Sequence, residues 1–235
     1  MNQFAWQTSP ENISEEQVLQ TVRADVVVVG AGHAGTCAAR AAAEAGASVI
    51  VLEQQSEGRQ RILGIGEIGH INSRWQAAHG VAPVDVDEFV NDWQLRTGNR
   101  SNVRLIRRYA EHCGDCFDWF LEPLTPEERE QIHPMLTPPS PNMPGMLNGL
   151  KAWSGSANMG VAMQNKALMG NQRLAREKGA SFFFGTTACQ LKKCGSRVTG
   201  VIARDEQGQY ILFEASKGVL LAAGDYSRNE QMCRD

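Results

Sequence analysis

The 235-residue sequence lacks any apolar run long enough to cross a membrane as a helix. It also lacks a surplus of basic residues, because 23 Lys and Arg stand against 26 Asp and Glu, for a formal net charge of −3. This balance gives no reason to expect nucleic acid or an anionic membrane as a partner. A hydrophobic content of 42% and a charged content of 21% are typical of a soluble globular protein.

Cysteine is too sparse to form the disulfide framework of a small secreted domain, since the chain has only six. Cys113 and Cys116 have the spacing of a redox or metal motif, but they fall in a predicted helix. Neither a second such pair nor a pair of histidines accompanies them, so no metal site is predicted.

The first 23 residues are polar and acidic, which is unlike a secretory signal peptide. We therefore expect residues 1–23 to be a surface lead-in and the cytoplasm to be the default location. Residues 24–235 are numerous enough for one large domain or two small ones.

A strand, a glycine-rich turn, a helix and a second strand follow one another between Asp25 and Glu53. The turn reads Gly30-x-Gly32-x-x-Gly35, and Glu53 comes 23 positions after Gly30. Glycines at this spacing, placed between a strand and a helix and followed by an acidic residue, are strong evidence for a dinucleotide site. The alternative is a buried strand–turn–helix unit with chance glycines.

Each part of this unit has a physical role in such a site. Gly30 permits the tight turn, Gly32 lets the backbone approach a pyrophosphate, and Gly35 lets the helix pack on the strand. The helix is predicted to begin near His33, so its free amides and positive dipole end face the phosphates. Glu53 would accept hydrogen bonds from ribose hydroxyls and would repel a 2′-phosphate.

Downstream, the periodicity predicts three helices followed by short strands. The strands are spaced closely enough for an antiparallel meander beside a parallel sheet. Residues 123–144 hold seven of the nine prolines, so regular structure is expected to fail there. The glycine-bearing stretch 54–80 is predicted to be a wall of the cofactor cleft. The predicted helices are 85–96, 102–121 and 159–179, and the predicted strands are 181–184, 187–191, 198–204, 210–214 and 218–223.

The 25–53 unit, the stretch from Gly179 through Ala203 and the segment 217–232 together resemble one family. They are similar to the FAD-binding domain of the fumarate reductase/succinate dehydrogenase flavoprotein superfamily. The last segment reads Ala222-Ala223-Gly224-Asp225 where the family usually has Ala-Thr-Gly-Gly. The resemblance implies an α/β, Rossmann-like FAD/NAD(P)-binding domain with a parallel sheet, flanking helices and a small antiparallel β-meander.

The resemblance further implies FAD as the cofactor. The loop at Gly30 and Glu53 would hold its AMP half, and the backbone of Thr187 and Ala188 would lie near the adenine. The stretch 59–66 would pass the pyrophosphate and flavin, and Ala223 and Gly224 would approach the dinucleotide. The expected cofactor-binding residues are Gly30, Ala31, Gly32, His33, Ala34, Gly35, Glu53, Gln54, Arg59, Arg61, Gly64, Gly66, Thr187, Ala188, Ala223 and Gly224.

Members of this family are much longer than 235 residues. Residues 24–235 therefore correspond to an FAD-binding domain that is incomplete relative to the family, without its capping domain and final FAD segment. No catalytic residue is assigned, because the family's substrate-binding Arg and His residues come from the capping domain. Two explanations stay open: the chain is a fragment of a longer protein, or it is a truncated gene product whose active site a separate subunit or a homo-oligomer would complete. In membrane-type members a histidine bonds covalently to flavin, and His70 is in the right neighbourhood but outside the usual sequence context.

Three functions remain open from the sequence. The first is the FAD-binding domain of a flavin-dependent oxidoreductase that acts on an organic acid or another small molecule with an activated double bond. The second is a non-catalytic dinucleotide-binding fragment that needs a missing domain or subunit. The third is a flavin-dependent tRNA-modifying type, which the residues His33-Ala-Gly-Thr36 also resemble, or an NAD-binding dehydrogenase domain.

Overall fold

A computed structural model describes residues 12–58, 66–134, 156–227 and 229–234. The chain divides into two compact units. The first comprises Met1–Ile62 and Asn171–Asp235, and the second comprises Leu63–Gly170. Among the described residues, no helix has both the length and the apolar character needed to cross a bilayer.

The elements follow one another along the chain after a short 3-10 turn, Glu15–Gln17. They are β1 (Val18–Val29), α1 (His33–Glu44), β2 (Val49–Leu52), β3 (Glu67–Gly69), α2 (Arg74–Ala78), α3 (Val86–Arg96), α4 (Val103–Phe120), α5 (Pro126–Arg129), β4 (His133–Pro134), β5 (Ser156–Asn158), α6 (Gly160–Glu177), β6 (Ser181–Phe183), β7 (Thr187–Cys194), β8 (Arg197–Arg204), β9 (Tyr210–Leu221) and α7 (Glu230–Cys233).

The first unit contains a six-stranded sheet in the order β6-β2-β1-β9-β8-β7. The first four strands of this order pair in parallel, and β9, β8 and β7 pair antiparallel. The long strand β9 belongs to both parts, because its first half pairs with β8 while its whole length pairs with β1. This arrangement confirms the predicted α/β fold with a parallel sheet and an antiparallel meander.

The strand β1 ends in four valines and α1 is rich in alanine, and both features follow from how they pack. Val27 and Val28 are fully buried, as expected for a strand covered on both faces. Ala39 and Ala43 of α1 are buried against this sheet, and their small side chains allow a close approach. The helix stops at Ala45, and Gly46 follows with a φ of +82°, a conformation that glycine adopts without steric cost.

The helix predictions are confirmed within a few residues, and four details differ. Residues 210–214 and 218–223 were predicted as two strands but form the single strand β9. The proline-rich stretch still contains α5, because Pro126 occupies the first helical position, where proline loses no hydrogen bond. Residues 54–80 include β3 and α2, and β1 begins at Val18, inside the stretch expected as a lead-in.

The second unit contains the antiparallel sheet β3-β5-β4 and the helices α2 to α5. Its core includes Phe89, Val90 and Cys113, which pack between α3 and α4. Burial raises the pKa of the Cys113 thiol, and its sulfur accepts a hydrogen bond from the backbone N–H of Ile71 at 3.3 Å. Cys113, the first cysteine of the Cys-x-x-Cys pair, is thus a packing residue of this core.

An irregularity in the pairing of β1 with β9 is held by Asp25. The register steps from Ala24 opposite Ala215 to Val26 opposite Gly218, so Asp25 of β1 stands opposite two residues of β9. The Asp25 carboxylate accepts hydrogen bonds from the Ser48 N–H and the Ser216 hydroxyl. These bonds, with the Lys217 ammonium 3.3 Å away, lower the pKa of Asp25 to about 2. The carboxylate therefore stabilises the register between β1 and β9.

We expect Asp25→Asn to lower the thermal unfolding midpoint at neutral pH, because it removes the charge that these partners favour. The folded-state pKa of about 2 lies below the ordinary value of 3.8, so the stabilisation is complete above pH 4 and is lost as the pH falls through 2. The gap in midpoint between the parent chain and the variant should therefore close between pH 4 and pH 2. Calorimetry across this range checks the prediction, and a gap that stays constant with pH would contradict it.

Candidate functional site

The carboxyl ends of the parallel strands meet at one edge of the sheet, and backbone hydrogen bonds lock them there. The N–H of Gly30, just after β1, donates to the Leu52 carbonyl at 2.7 Å. On the other side, the N–H of Ala222 donates to the Val29 carbonyl at 2.8 Å. The ends of β9, β1 and β2 are therefore fixed side by side, at the edge where open α/β sheets bind their ligands.

The first and third glycines of the loop are required by the chain's own backbone. Gly30 has a φ of +102°, and a Cβ there would overlap the carbonyl of Ala222. A Cβ on Gly35 would overlap the carbonyl oxygen of Gly30 and would lie 2.9 Å from its carbonyl carbon. The two glycines let α1 start directly against the strand ends.

Gly32 differs, because nothing in the described part of the chain requires it to be glycine. Its φ is −71°, which any residue adopts, and a Cβ built on it meets no atom of the described residues within 4 Å. It is the N-cap of α1, so the amides that follow have no partner within the helix. Open space at a helix N-terminus, kept free of a side chain, is suited to an anionic group from outside the chain.

His33 is the first residue of α1 and is half-buried. Burial lowers the pKa of its imidazole, so the ring is neutral at pH 7. The positive potential at this end of the helix therefore comes from the backbone amides and the helix dipole and not from a charged side chain.

Glu53 follows β2 and is nearly buried, with both carboxylate oxygens aimed at backbone amides. Oε2 accepts from the N–H of Ala31 at 2.9 Å, and Oε1 accepts from the N–H of Gln55 at 2.9 Å. An ionised carboxylate offers about four acceptor sites, so each oxygen can still accept a hydroxyl. Glu53 thus ties the loop to the second strand and retains capacity for a sugar.

Thr187 and Ala188 reach the same edge through the turn that precedes β7. The N–H of Glu53 donates to the Phe183 carbonyl at 2.9 Å, and the N–H of Thr186 donates back to the Glu53 carbonyl at 2.9 Å. The backbone of residues 53–55 is therefore paired with the chain that leads into Thr187.

Ala223 and Gly224 leave β9 beside the Gly30 loop, and both are exposed. Gly224 has a φ of +84°, which favours glycine at this turn. The structure thus brings together, in the first unit, the loop from Gly30 to Gly35, Glu53, the start of β7 and the end of β9.

The structure describes two of the other predicted site residues, Gln54 and Gly66. Gln54 follows Glu53 but is exposed, and Gly66 lies in the second unit, where its carbonyl accepts from the N–H of Met159 at 2.7 Å. Arg59, Arg61 and Gly64 lie outside the described residues. Their roles toward a cofactor stay predictions.

His70 is a buried core histidine of the second unit. Its ring stacks on Phe117 with 3.8 Å between centroids, and its Nδ1 donates to the Ile68 carbonyl at 3.2 Å. Burial lowers the pKa of the imidazole, so Nε2 is free of a proton and accepts from the Ser73 hydroxyl at 3.0 Å. Both ring nitrogens are used, which argues against a covalent bond from His70 to flavin.

Two side chains that contact the loop were missed from the sequence. Thr36 Oγ1 donates to the Ala31 carbonyl at 3.0 Å, and Gln172 Nε2 donates to the same carbonyl at 3.1 Å. Gln172 lies on α6, 141 positions from Ala31. A signal was present, because Asn171 and Gln172 are polar residues at buried positions of a helix whose other buried positions are mostly apolar.

The arrangement has two binding capacities. The open helix N-terminus can hold a diphosphate through backbone amides, and the adjacent carboxylate can accept hydrogen bonds from sugar hydroxyls. These are the requirements of the AMP half of FAD, so the residues present fit this group.

These features define a dinucleotide-binding α/β protein, and the comparisons identify the family. The family described as the FAD binding domain matches residues 25–235, and the chain belongs to it. FAD is the cofactor of this domain.

The chain is 25% identical, over 88% of its length, to the NADH:fumarate oxidoreductase of Klebsiella pneumoniae, and it is 27% identical, over 88%, to the vinyl phenol reductase of Lactiplantibacillus plantarum. It spans 21% and 39% of these two proteins. Its fold is similar to that of a flavocytochrome c3 fumarate reductase in an open conformation, with a TM-score of 0.69 and 20% identity over 98% of this chain and 39% of that one.

We expect Gly32→Val to leave the fold intact and to weaken FAD binding at least about a hundredfold. The added side chain enters space that the described residues leave open, and it would fill the position predicted for a pyrophosphate. Loss of two charge-assisted amide–phosphate bonds, each about 1.5–3 kcal/mol, accounts for this factor. Titration calorimetry with FAD measures it.

Gly35→Ala is the contrasting variant, because its Cβ would overlap the Gly30 carbonyl and should lower the thermal midpoint of the chain without cofactor. Gly32→Val should leave that midpoint within error of the parent. Retention of parental FAD affinity by Gly32→Val would refute the loop as the diphosphate site.

Proposed function

We propose that this chain is the FAD-binding part of a flavin-dependent oxidoreductase that reduces an activated double bond in a small organic molecule. The observation that carries the proposal is the open N-terminus of α1 at Gly32, next to the Glu53 carboxylate. The named substrates of the two relatives, fumarate and vinyl phenol, share a carbon–carbon double bond. Residues 24–235 are proposed as the FAD-binding domain.

In this proposal the chain's own residues bind and orient the cofactor. The amides of Gly32, His33 and Ala34 hold the pyrophosphate, with the helix dipole behind them. Glu53 accepts hydrogen bonds from the ribose of the AMP half while it continues to hold the Ala31 amide. This use of a carboxylate also disfavours a ligand with a 2′-phosphate.

Three further segments are proposed to complete the cofactor site. The backbone of Thr187 and Ala188 borders the adenine, and the exposed Ala223 and Gly224 approach the dinucleotide at the end of β9. The residues Gln54, Arg59, Arg61, Gly64 and Gly66 are proposed to line its path from the ribose toward the flavin.

The redox chemistry belongs to FAD when it is bound, since the flavin ring carries the hydride. The chain contributes binding, orientation and a fixed electrostatic environment. No residue is assigned to substrate binding or to proton donation. We therefore propose that a further polypeptide segment, a separate subunit or a second copy supplies those groups, and that the protein works in the cytoplasm.

A second function is favoured by the share of the relatives that this chain spans, 21% and 39% of their lengths. In that case the chain binds FAD but carries out no chemistry by itself. The two functions share the cofactor site and differ in turnover.

The test is an absorbance spectrum of the purified chain, with mass spectrometry of the cofactor released on denaturation. We expect an oxidised flavin band and FAD at one equivalent per chain. The bound flavin is then reduced chemically and mixed with fumarate or vinyl phenol under anaerobic conditions.

Reoxidation by either acceptor at a rate above that of free flavin supports the oxidoreductase. Bound FAD without acceptor-dependent reoxidation supports the binding fragment. A chain that binds NAD but neither retains nor takes up FAD would overturn the proposal.

A further inference from the structure

The peptide group that joins Ala31 to Gly32 is held from the interior of the protein. Ala31 is fully buried, and its N–H donates to Glu53. The helical ladder of α1 begins with the bond from the Thr36 N–H to the Gly32 carbonyl, one residue beyond the Ala31 carbonyl. A buried carbonyl outside the ladder is costly unless a side chain satisfies it.

Two side chains satisfy the Ala31 carbonyl. The Thr36 hydroxyl donates to it at 3.0 Å, and Gln172 Nε2 donates to it at 3.1 Å. Gln172 Nε2 also donates to Thr36 Oγ1 at 3.3 Å, so the two side chains are hydrogen-bonded to each other as well as to the carbonyl. Gln172 is 1% exposed and Thr36 is fully buried, which makes this a closed polar cluster.

The direction of this carbonyl determines the direction of the next amide. The described residues contain no cis peptide bond, so the Ala31–Gly32 peptide is planar and trans. In a trans peptide the carbonyl and the following N–H point to opposite sides. Because Gln172 and Thr36 hold the carbonyl toward the buried side, the Gly32 N–H points away from them.

The helix that carries Gln172 is itself anchored to α1 by a buried charge-assisted bond. Arg40 Nη1 donates to Asn171 Oδ1 at 2.7 Å, and Arg40 Nε pairs with Glu44 at 2.7 Å. Arg40 is 3% exposed, and Asn171 is fully buried. These buried polar groups lie beside an apolar cluster that includes Ala39, Ala43 and Ala175, and apolar residues would cost less to bury there. Their presence fixes one position of Gln172 relative to the loop.

We propose that Gln172 is a positioning residue of the cofactor site, which aims the Gly32 amide at the pyrophosphate by holding the Ala31 carbonyl, with Thr36 as its partner. This inference rests on the proposed function, because it assigns the outward amide to that ligand. Gln172 itself does not touch the cofactor.

The experiment measures dissociation constants of FAD, ADP and adenosine for the full chain by titration calorimetry. Gln172→Met removes the donor and keeps the length of the side chain. We expect affinity for FAD and ADP to fall about tenfold, the effect of losing roughly one well-aligned hydrogen bond. Affinity for adenosine, which has no phosphate, should change less than twofold. A purely structural role would weaken all three ligands together.

A matched control is Gln76→Met in the second unit. Gln76 is 3% exposed, and its Nε2 donates to the His70 carbonyl at 3.2 Å, so the substitution removes the same kind of bond. We expect it to change the thermal midpoint without changing the ratio of ADP to adenosine affinity.

If Gln172→Met does not fold, Thr36→Val and Thr36→Ser carry the test. Valine keeps the shape and removes the hydroxyl, so it should show the same phosphate-dependent loss, whereas serine keeps the hydroxyl and should restore binding. Parental affinity for ADP in a folded Gln172→Met or Thr36→Val chain would overturn the positioning role while leaving the cofactor site intact. Failure of the parent chain to bind FAD and ADP would instead overturn the proposed function.

Discussion

The close contact between the end of β1 and the start of α1 is the constraint on which the rest of the site depends. Gly35 can lie on the carbonyl of Gly30 only because it has no side chain, and Gly30 can lie on Ala222 for the same reason. This contact places the first turn of the helix at the carboxyl edge of the sheet. The same edge receives Glu53 from β2 and the exposed turn that follows β9. The groups proposed to bind the diphosphate and the ribose are therefore brought to the same edge of the sheet.

The three glycines of the loop have different physical roles. Two of them are needed by the folded chain, whereas Gly32 leaves space that the described residues do not use. A substitution at Gly32 is therefore expected to change cofactor binding without changing the stability of the fold. Membership of the FAD-binding family identifies that cofactor as FAD. The shares of the relatives that the chain spans, 21% and 39%, are why activity and substrate remain proposals.

The part of the fold that could be predicted from sequence is the part that local interactions decide. The turn, helix and second strand of the unit that ends at Glu53 are encoded by neighbouring residues, and their predicted bounds agree closely with the structure. The first strand begins earlier than predicted, at Val18. The single strand β9 was missed because its continuity depends on pairing with β1 across a bulge that Asp25 stabilises. Gln172 was missed because its contact with Ala31 joins residues 141 positions apart. The pattern of α6 places a polar residue among apolar ones, but it does not identify the partner of that residue. The short helix at Pro126 shows that a proline-rich segment can still begin a helix.

The most direct measurement is a crystal structure of the chain with FAD bound. The account predicts a pyrophosphate oxygen within about 2.7–3.2 Å of the Gly32 nitrogen and a hydroxyl of the adenosine ribose on the Glu53 carboxylate. It also predicts that the Ala31 carbonyl keeps its bonds to Thr36 and Gln172. A cofactor whose diphosphate lies away from the N-terminus of α1, or whose ribose does not contact Glu53, would contradict the central claim.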